Sequence, residues 1–529
     1  MKVPKRQLLI NAIMSVTQIL VISGTLFVLY RFLLDTIGIE QLGIWSLVLA
    51  ATAVTQIANL GLSVSLVKFV SKYIALKDQQ NVSQLIQTAA ISTAIFVGLI
   101  ILIAYPVAAL VLKMVVPSKF VPHAMGILPY SLISLWLLIL VGVFQSGIDG
   151  CQRIDIRSML LMASAVLYLV LCFVLAPRYG LMGVAYARVI QNLSVLVASW
   201  LILRRYVPLL PIIPCRWNKT LFREMFGYGV NFQVISVTSM LGDPITKVLL
   251  SKFGGLAMVG YYEMASRMIH QLRALIISAN QVVVPTVSGL HEVMPEKVNS
   301  FYAKSYQTIF YISLPAYSFL IVCAPLVSRI WLGWYEPVFV FTAVLLSIGA
   351  FLNTLGGPAY FTNLGTGSLK WNVIGHLLSV LLNALLGFVL GVIFGGKGVI
   401  VSFMIAAALS SGVITVAYSI KHKISLTELL AGKELAVAVF CALAVSFLLN
   451  AVLWGGMDVV TLNVYSLMIF MIITAVPMWR HPVRKSLFGW VANDLFAGNK
   501  YSAKYKTICS GDKKSVVKDL NHVSEGKIW

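Results

Sequence analysis

Glu263, Arg267 and His270 lie at i, i+4 and i+7 of an apolar segment, so a helix brings all three to one face. Arg273 follows one turn deeper on a neighbouring flank. Charge inside such a segment is expensive, and each instance needs an account. Glu263 and Arg267 can neutralise each other between helices. Alternatively, Arg267 and Arg273 present guanidinium groups to an anionic ligand, because their planar forks match phosphate oxygens two at a time. Histidine is the side chain whose ordinary titration range lies near neutral pH, so His270 is a candidate to respond to a proton gradient, although a histidine on a helix face more often serves as a hydrogen-bond partner.

Three more polar sets accompany this one. Arg188, with Gln191 and Asn192 at i+3 and i+4, forms a second stripe carrying a fixed charge. Asp243 and Lys247 sit at i and i+4 around Pro244, which reads as a kink with a self-paired couple. Uncharged stripes run along single helix faces at Asn11, Ser15 and Gln18, at Thr52, Gln56, Asn59 and Ser63, and at Asn372, His376, Ser379 and Asn383. One such stripe would serve as glue between helices, at about 0.6 kcal/mol per hydrogen bond. Three of them, with three arginines at membrane depth, exceed what packing requires and imply the wall of a hydrated cavity. The expected anion-binding set is Arg267, Arg273, Arg188 and Lys247. The expected polar lining is Asn11, Gln18, Gln56, Asn59, Asn192, Glu263, His270, Asn372, His376 and Asn383. Lys68 and Arg31 lie near helix ends, where they can snorkel to headgroups, and Arg31 could assist release at an outer mouth.

Catalytic constellations are weak. Seven histidines and few buried carboxylates give no metal spacing, no Cys/His pair and no close acid pair. No G-x-x-x-x-G-K-[ST] loop occurs. The expectation is a protein that is not an enzyme and carries no metal or other cofactor. Asp149 and Asp155 flank Arg153 as a solvated ion cluster, and the six cysteines are scattered filler.

The elements that must position these residues are membrane helices. The chain is 59% hydrophobic and 11% charged over 529 residues, whereas a soluble protein carries roughly twice that charged fraction. Apolar runs of about 18 residues or more recur from end to end, unlike the short alternating segments of a β-barrel. We place spans at 8–30, 42–64, 84–112, 125–148, 158–176, 182–203, 226–250, 257–288, 305–328, 337–359, 372–394, 398–419, 435–454 and 462–479, an all-α polytopic membrane protein of about fourteen transmembrane helices. The first run follows Lys2, Lys5 and Arg6 and is too long for a signal-peptide core. Threaded with a cytoplasmic N-terminus, the inner loops and tail receive 29 of the 40 Lys and Arg. The positive-inside rule then puts both termini in the cytoplasm. The net charge of +22 follows from that bias. It does not imply nucleic acid, because the cations sit in short loops rather than on one folded face.

Glycines mark an internal repeat. Gly43-Ile44-Trp45 is echoed by Gly260-Tyr261-Tyr262 at a step of 217 residues, and Gly150-Cys151-Gln152-Arg153 by Gly367-Ser368-Leu369-Lys370 at the same step. Gly180-Leu181-Met182-Gly183-Val184 recurs as Gly395-Gly396-Lys397-Gly398-Val399 at a step of 215 (180 to 395). The division is 1–203 as an N-lobe of helices 1–6, 204–223 as a basic, proline-bearing cytoplasmic linker, and 224–420 as a C-lobe of helices 7–12. Residues 421–480 carry helices 13 and 14 outside the repeat, and 481–529 form a basic cytoplasmic tail within reach of membrane lipids. Six spans per lobe make the lobes parallel repeats about an axis along the membrane normal.

The run Gly38-Ile39-Glu40-Gln41-Leu42-Gly43-Ile44-Trp45-Ser46-Leu47, followed by Asn59-Leu60-Gly61-Leu62, resembles the start of polysaccharide biosynthesis flippases of the multidrug/oligosaccharidyl-lipid/polysaccharide exporter superfamily. Val259-Gly260-Tyr261-Tyr262-Glu263-Met264-Ala265-Ser266-Arg267 resembles the turn that opens their second half, and Pro285 with Ser288 resembles the exit of that helix. The resemblance covers roughly residues 8–420 and implies two six-helix lobes in a V around a central cavity, with two extra helices. It implies ATP-independent movement of a polyprenyl-diphosphate-linked oligosaccharide, a polysaccharide repeat unit, from the inner to the outer leaflet. On that reading the arginines meet the diphosphate, the stripes meet the sugar, and the chain works in a bacterial inner membrane beside a polysaccharide polymerase and glycosyltransferases. An alternative within the superfamily is a cation-coupled multidrug exporter, which would favour an acidic cavity. Only Glu263 and Asp243 offer that here. A membrane polymerase or ligase would need a long periplasmic loop with polar catalysts, which is lacking.

Overall fold

The computed structural model describes residues 5–53, 62–227, 241–280, 283–429, 441 and 459–480. Among these residues every regular element is a helix. In chain order they are α1 (Lys5–Ala53), α2 (Leu62–Ala75), α3 (Gln79–Val115), α4 (Val121–Gly150), α5 (Ile154–Tyr179), α6 (Leu181–Tyr206), α7 (Gly242–Asn280), α8 (Val283–Val293), α9 (Glu296–Val327), α10 (Pro337–Leu355), α11 (Gly357–Thr366), α12 (Lys370–His422), α13 (Leu426–Leu429) and α14 (Val459–Arg480). Eight stretches among the described residues are long and apolar enough to cross a membrane. The chain is a multi-pass membrane protein. The expected thirteenth span apart from residue 441, residues 54–61 of the second, residues 228–240 of the seventh, and the tail lie outside the described residues.

Two of the eight stretches are 40 and 53 residues long, far beyond the roughly 20 that one crossing needs. Single glycines resolve this. Gly38 interrupts α1 at φ 81°, ψ 166°, and Gly395 interrupts α12 at φ 63°, ψ −152°. Gly255 does the same inside α7 at φ 79°, ψ 171°. These conformations are essentially reserved for glycine. Tyr30 and Ser46, equally far from Gly38 on opposite arms of α1, bond the same carboxylate of Glu263, so the chain folds back at Gly38. The Lys247–Glu263 pair does the same for the two arms of α7. Each of these elements is a helical hairpin whose turn is one residue. The sequence predicted breaks of several residues there, at 30–42, 250–257 and 394–398.

The repeat survives in backbone form. Gly38 and Gly255 match in φ and ψ at the 217-residue step, and Gly180 (φ 56°, ψ −134°) matches Gly395 at the 215-residue step. One pairing read from the sequence is corrected. Gly367 caps α11 in the left-handed region at φ 75°, and its first-half counterpart in conformation is Gln152 at φ 61°, not Gly150. Gly150 is the last residue of α4, pressed against Val70 of α2, where a methyl group would collide. The step has therefore already dropped to 215 by residue 152.

Packing divides the chain into two compact units, residues 1–284 with 324–418 and residues 285–323 with 419–529. In the first, Leu62, Leu66, Val70, Leu85, Val143, Leu203 and Met225 belong to one buried apolar cluster where α2, α3, α4 and α6 meet. In the second, Val322 and Phe470 are buried together, and the Tyr311 hydroxyl donates to the Met478 carbonyl at 2.9 Å.

Candidate functional site

α1 and α7 cross where their repeat-related glycines meet. A Cβ on Gly43 would strike the Leu256 carbonyl, and a Cβ on Gly260 would strike the Ile39 carbonyl. Residues 39 and 43 map onto 256 and 260 at the 217-residue step, so the contact is reciprocal about a local two-fold axis. Backbone approach this close needs glycine at both places.

Beside that crossing Glu263 is buried, at 1% exposure. Its Oε1 accepts from the Tyr30 hydroxyl at 2.8 Å and from Arg267 Nε at 2.6 Å. Its Oε2 accepts from the Ser46 hydroxyl at 2.8 Å and pairs with Lys247 Nζ at 2.7 Å. Four donors fill the four lone-pair positions of one carboxylate. Lys247 also contacts Asp243 at 2.7 Å, and the Tyr262 hydroxyl donates to the other Asp243 oxygen at 3.0 Å. Two cations and two carboxylates are thus held in one hydrogen-bonded knot, the condition under which buried charge is tolerated.

Two members of the knot reach outward, Asp243 at 39% exposure and Arg267. The Arg267 side chain is 42% exposed and binds Glu263 through Nε. Farther along α7, Arg273 donates to Asn353 Oδ1 at 2.6 Å from a half-buried position. His270 is exposed, and His376 is half-buried against the Tyr360 ring at 5.6 Å. Arg188, half-buried on α6, lies over the Tyr168 ring at 5.0 Å and donates to Gln191 at 2.8 Å. Gln18 is half-buried on α1.

Other expected lining residues are placed between helices. Asn192 donates to the Ser134 carbonyl and hydroxyl of α4 at 2.8 and 2.9 Å, and Asn383 to the Gly242 carbonyl and Thr246 at 3.0 and 2.9 Å. Asn372 donates to the Tyr360 carbonyl at 3.0 Å and accepts from Asn363 at 2.9 Å. Asn11 accepts from the backbone of Asp155 at 3.1 Å, closing an open N–H at the start of α5. All four are buried. An amide enclosed by packed helices must be satisfied there, and a neighbouring backbone carbonyl or amide is the nearest partner. Glu263 and Lys247 are buried too and present no surface to a ligand. Gln56 and Asn59 lie outside the described residues. The cluster at Arg153 is two short ion pairs, Arg153–Asp155 and Arg157–Asp149, each at 3.0 Å.

Tyr30, Ser46, Tyr262, Asn353 and Tyr168 were not expected at the site. For two of them a signal existed, since the 217-residue step maps Tyr30 onto Lys247 and Ser46 onto Glu263.

A family model described as polysaccharide biosynthesis protein matches residues 28–336, from before Tyr30 to beyond the π-turn Ser328–Leu332. The chain belongs to this family. No curated protein matches it in sequence. Among solved structures, a lipid II flippase MurJ in an inward closed conformation superposes with a TM-score of 0.67 at 13% identity, over 92% of this chain and 99% of that one. An inward-facing multidrug resistance MATE family transporter of the MOP superfamily gives 0.65 at 16% identity, over 77% and 94%. A MOP superfamily transporter from Pyrococcus furiosus, whose binding pocket is described as reversed in polarity, gives 0.59 at 15% identity, over 79% and 96%. The family's member described here therefore has the all-helical fold of MOP-superfamily transporters.

Proposed function

We propose that this protein moves a polyprenyl-diphosphate-linked oligosaccharide from the inner to the outer leaflet of a bacterial inner membrane, without ATP, by alternating access between an N-lobe (1–203) and a C-lobe (224–420). Both termini are cytoplasmic on this reading, and a polymerase and glycosyltransferases act before and after it. The observation that carries the reading is the charge balance around α7. Asp243 and Glu263 are already neutralised by Lys247 and Arg267, and Arg188, bonded to the neutral Gln191 over the Tyr168 ring, adds positive charge among apolar helices. Such a site suits a diphosphate and disfavours a cationic drug. With Glu263 holding its Nε, the half-exposed guanidinium of Arg267 is set to meet phosphate oxygens as a first clamp. Arg273, steadied by Asn353, is the second clamp, and His270, His376 and Gln18 supply adaptable donors for sugar hydroxyls.

The test is complementation. A strain lacking the gene should lose surface polysaccharide, and wild type should restore it. Arg267→Ala, present at normal level in the membrane, should not. Full restoration by that variant removes Arg267 from the mechanism. Purified protein in vesicles should also flip a fluorescent lipid-linked oligosaccharide, and export of a cationic dye with no flipping would favour the drug exporter.

A further inference from the structure

The segment joining the two copies of the repeat holds Arg204, Arg205, Arg216, Lys219 and Arg223 within 204–223 and no carboxylate. It is not a slack tether. Val207 and Leu210 are buried in the apolar cluster under α2 and α3. The Gln87 side chain of α3 accepts from the backbones of Cys215 and Arg216 at 3.2 and 3.1 Å, and Thr88 from that of Asn218 at 3.1 Å. Ser83 donates to the Leu209 carbonyl at 2.9 Å, and Trp217 donates to Ser92 at 2.9 Å. Trp200 of α6 donates to the Ile212 carbonyl at 2.9 Å. The segment is a shelf fixed to the side of α3.

Its outer surface combines two chemistries. Leu209, Ile212, Ile213 and Trp217 are 59, 73, 72 and 50% exposed. Between and beside them, Arg205, Arg216, Lys219 and Arg223 are exposed, and no ion pair among the described residues engages them. Phe222 stacks on Phe96 of α3 at 6.0 Å. That joins the shelf to the exposed apolar belt of Leu99, Leu102 and Ile103. The continuity puts the shelf at the rim of the bilayer, where large apolar side chains beside cations suit the boundary between acyl chains and headgroups.

We propose that the shelf is a docking surface for anionic phospholipid. The headgroup phosphates are held by Arg205, Arg216, Lys219 and Arg223, and Leu209, Ile212, Ile213 and Trp217 rest among the first acyl carbons. Because the shelf is bonded to α3 and lies in sequence between the two copies of the repeat, lipid charge acts on the joint between the two halves.

Cys215 supplies the probe, since it is the exposed cysteine among those described. A C509S variant of the full chain, labelled with bimane at Cys215, is reconstituted in phosphatidylcholine vesicles with or without phosphatidylglycerol. Brominated versions of either lipid report contact by quenching. Brominated phosphatidylglycerol should quench several-fold more than brominated phosphatidylcholine at equal content. The preference should weaken in high salt and largely vanish in the R205Q/R216Q/K219Q/R223Q variant. I212S/I213S should lower quenching by both lipids alike. An unquenched label overturns the proposal, as does quenching without preference. So does a preference that survives the quadruple variant, which would belong to the tail. A label quenched only after an acidic soluble protein is added would assign the cations to a protein partner instead.

Discussion

Residues 30 and 46 of the first copy correspond to 247 and 263 of the second at a step of 217, and all four side chains meet at one point. The first copy supplies a phenol and an alcohol there, the second an amine and a carboxylate. The backbone around them is the same twice over, with Gly38 matching Gly255 and Gly43 matching Gly260. The difference follows from the axis that relates the copies. A residue near a two-fold axis faces its own counterpart, and two buried glutamates or two buried lysines would repel each other. Neutral hydroxyls opposite a charged pair remove that conflict and complete the carboxylate's shell. Geometry was kept in both copies, and charge was concentrated in one.

The largest expected effect breaks the charged side of this comparison. Glu263→Ala strips Lys247 and Arg267 of a shared partner in a buried setting, at a cost of about 3–5 kcal/mol. Thermal unfolding in detergent should drop steeply, with Glu263→Gln recovering part of the loss. A melting temperature equal to wild type would mean the knot contributes nothing to the resting fold. Next come Gly43→Ala and Gly260→Ala, each overpacking a helix crossing by about 1–3 kcal/mol. The two should be alike, and a large inequality in the same assay would dispose of the local two-fold. Gly38→Ala and Gly255→Ala, which force a side chain into a conformation essentially reserved for glycine, should each cost about 1–3 kcal/mol in the same assay. On the neutral side, Ser46→Ala and Tyr30→Phe each remove one hydrogen bond to a charged group, at about 1.5 kcal/mol. A double-mutant cycle should show coupling, because both hydroxyls act on one carboxylate.

The hairpins and the charged knot were unevenly legible in the sequence. Apolar runs located the helices, and the Glu263–Arg267 spacing located the pair, because both rest on periodicity within one helix. The hairpin turns were placed but drawn too long, since one glycine reverses the chain and nothing in the composition separates Gly38, which turns, from Gly43, which packs. The fates of Asn192, Asn372 and Asn383 were hidden for another reason. A polar stripe says which face a residue takes but not whether a helix or a cavity lies opposite. Arg188 and Arg273 differ in that long side chains reach past the packed surface. Gln152 concealed the repeat by adopting a left-handed conformation that Gly367 advertises.

The one-residue turns have a consequence for anyone probing this molecule from outside the membrane. At the end of the bundle that carries Gly38, Gly255 and Gly395, successive helices of each hairpin are joined by a single peptide unit on either side of a glycine. A protease needs several extended residues to grip, and an epitope tag needs slack to be inserted. Neither is available at those three joints, so cleavage or insertion there should destroy the fold rather than map it, and topology reporters belong at the opposite end.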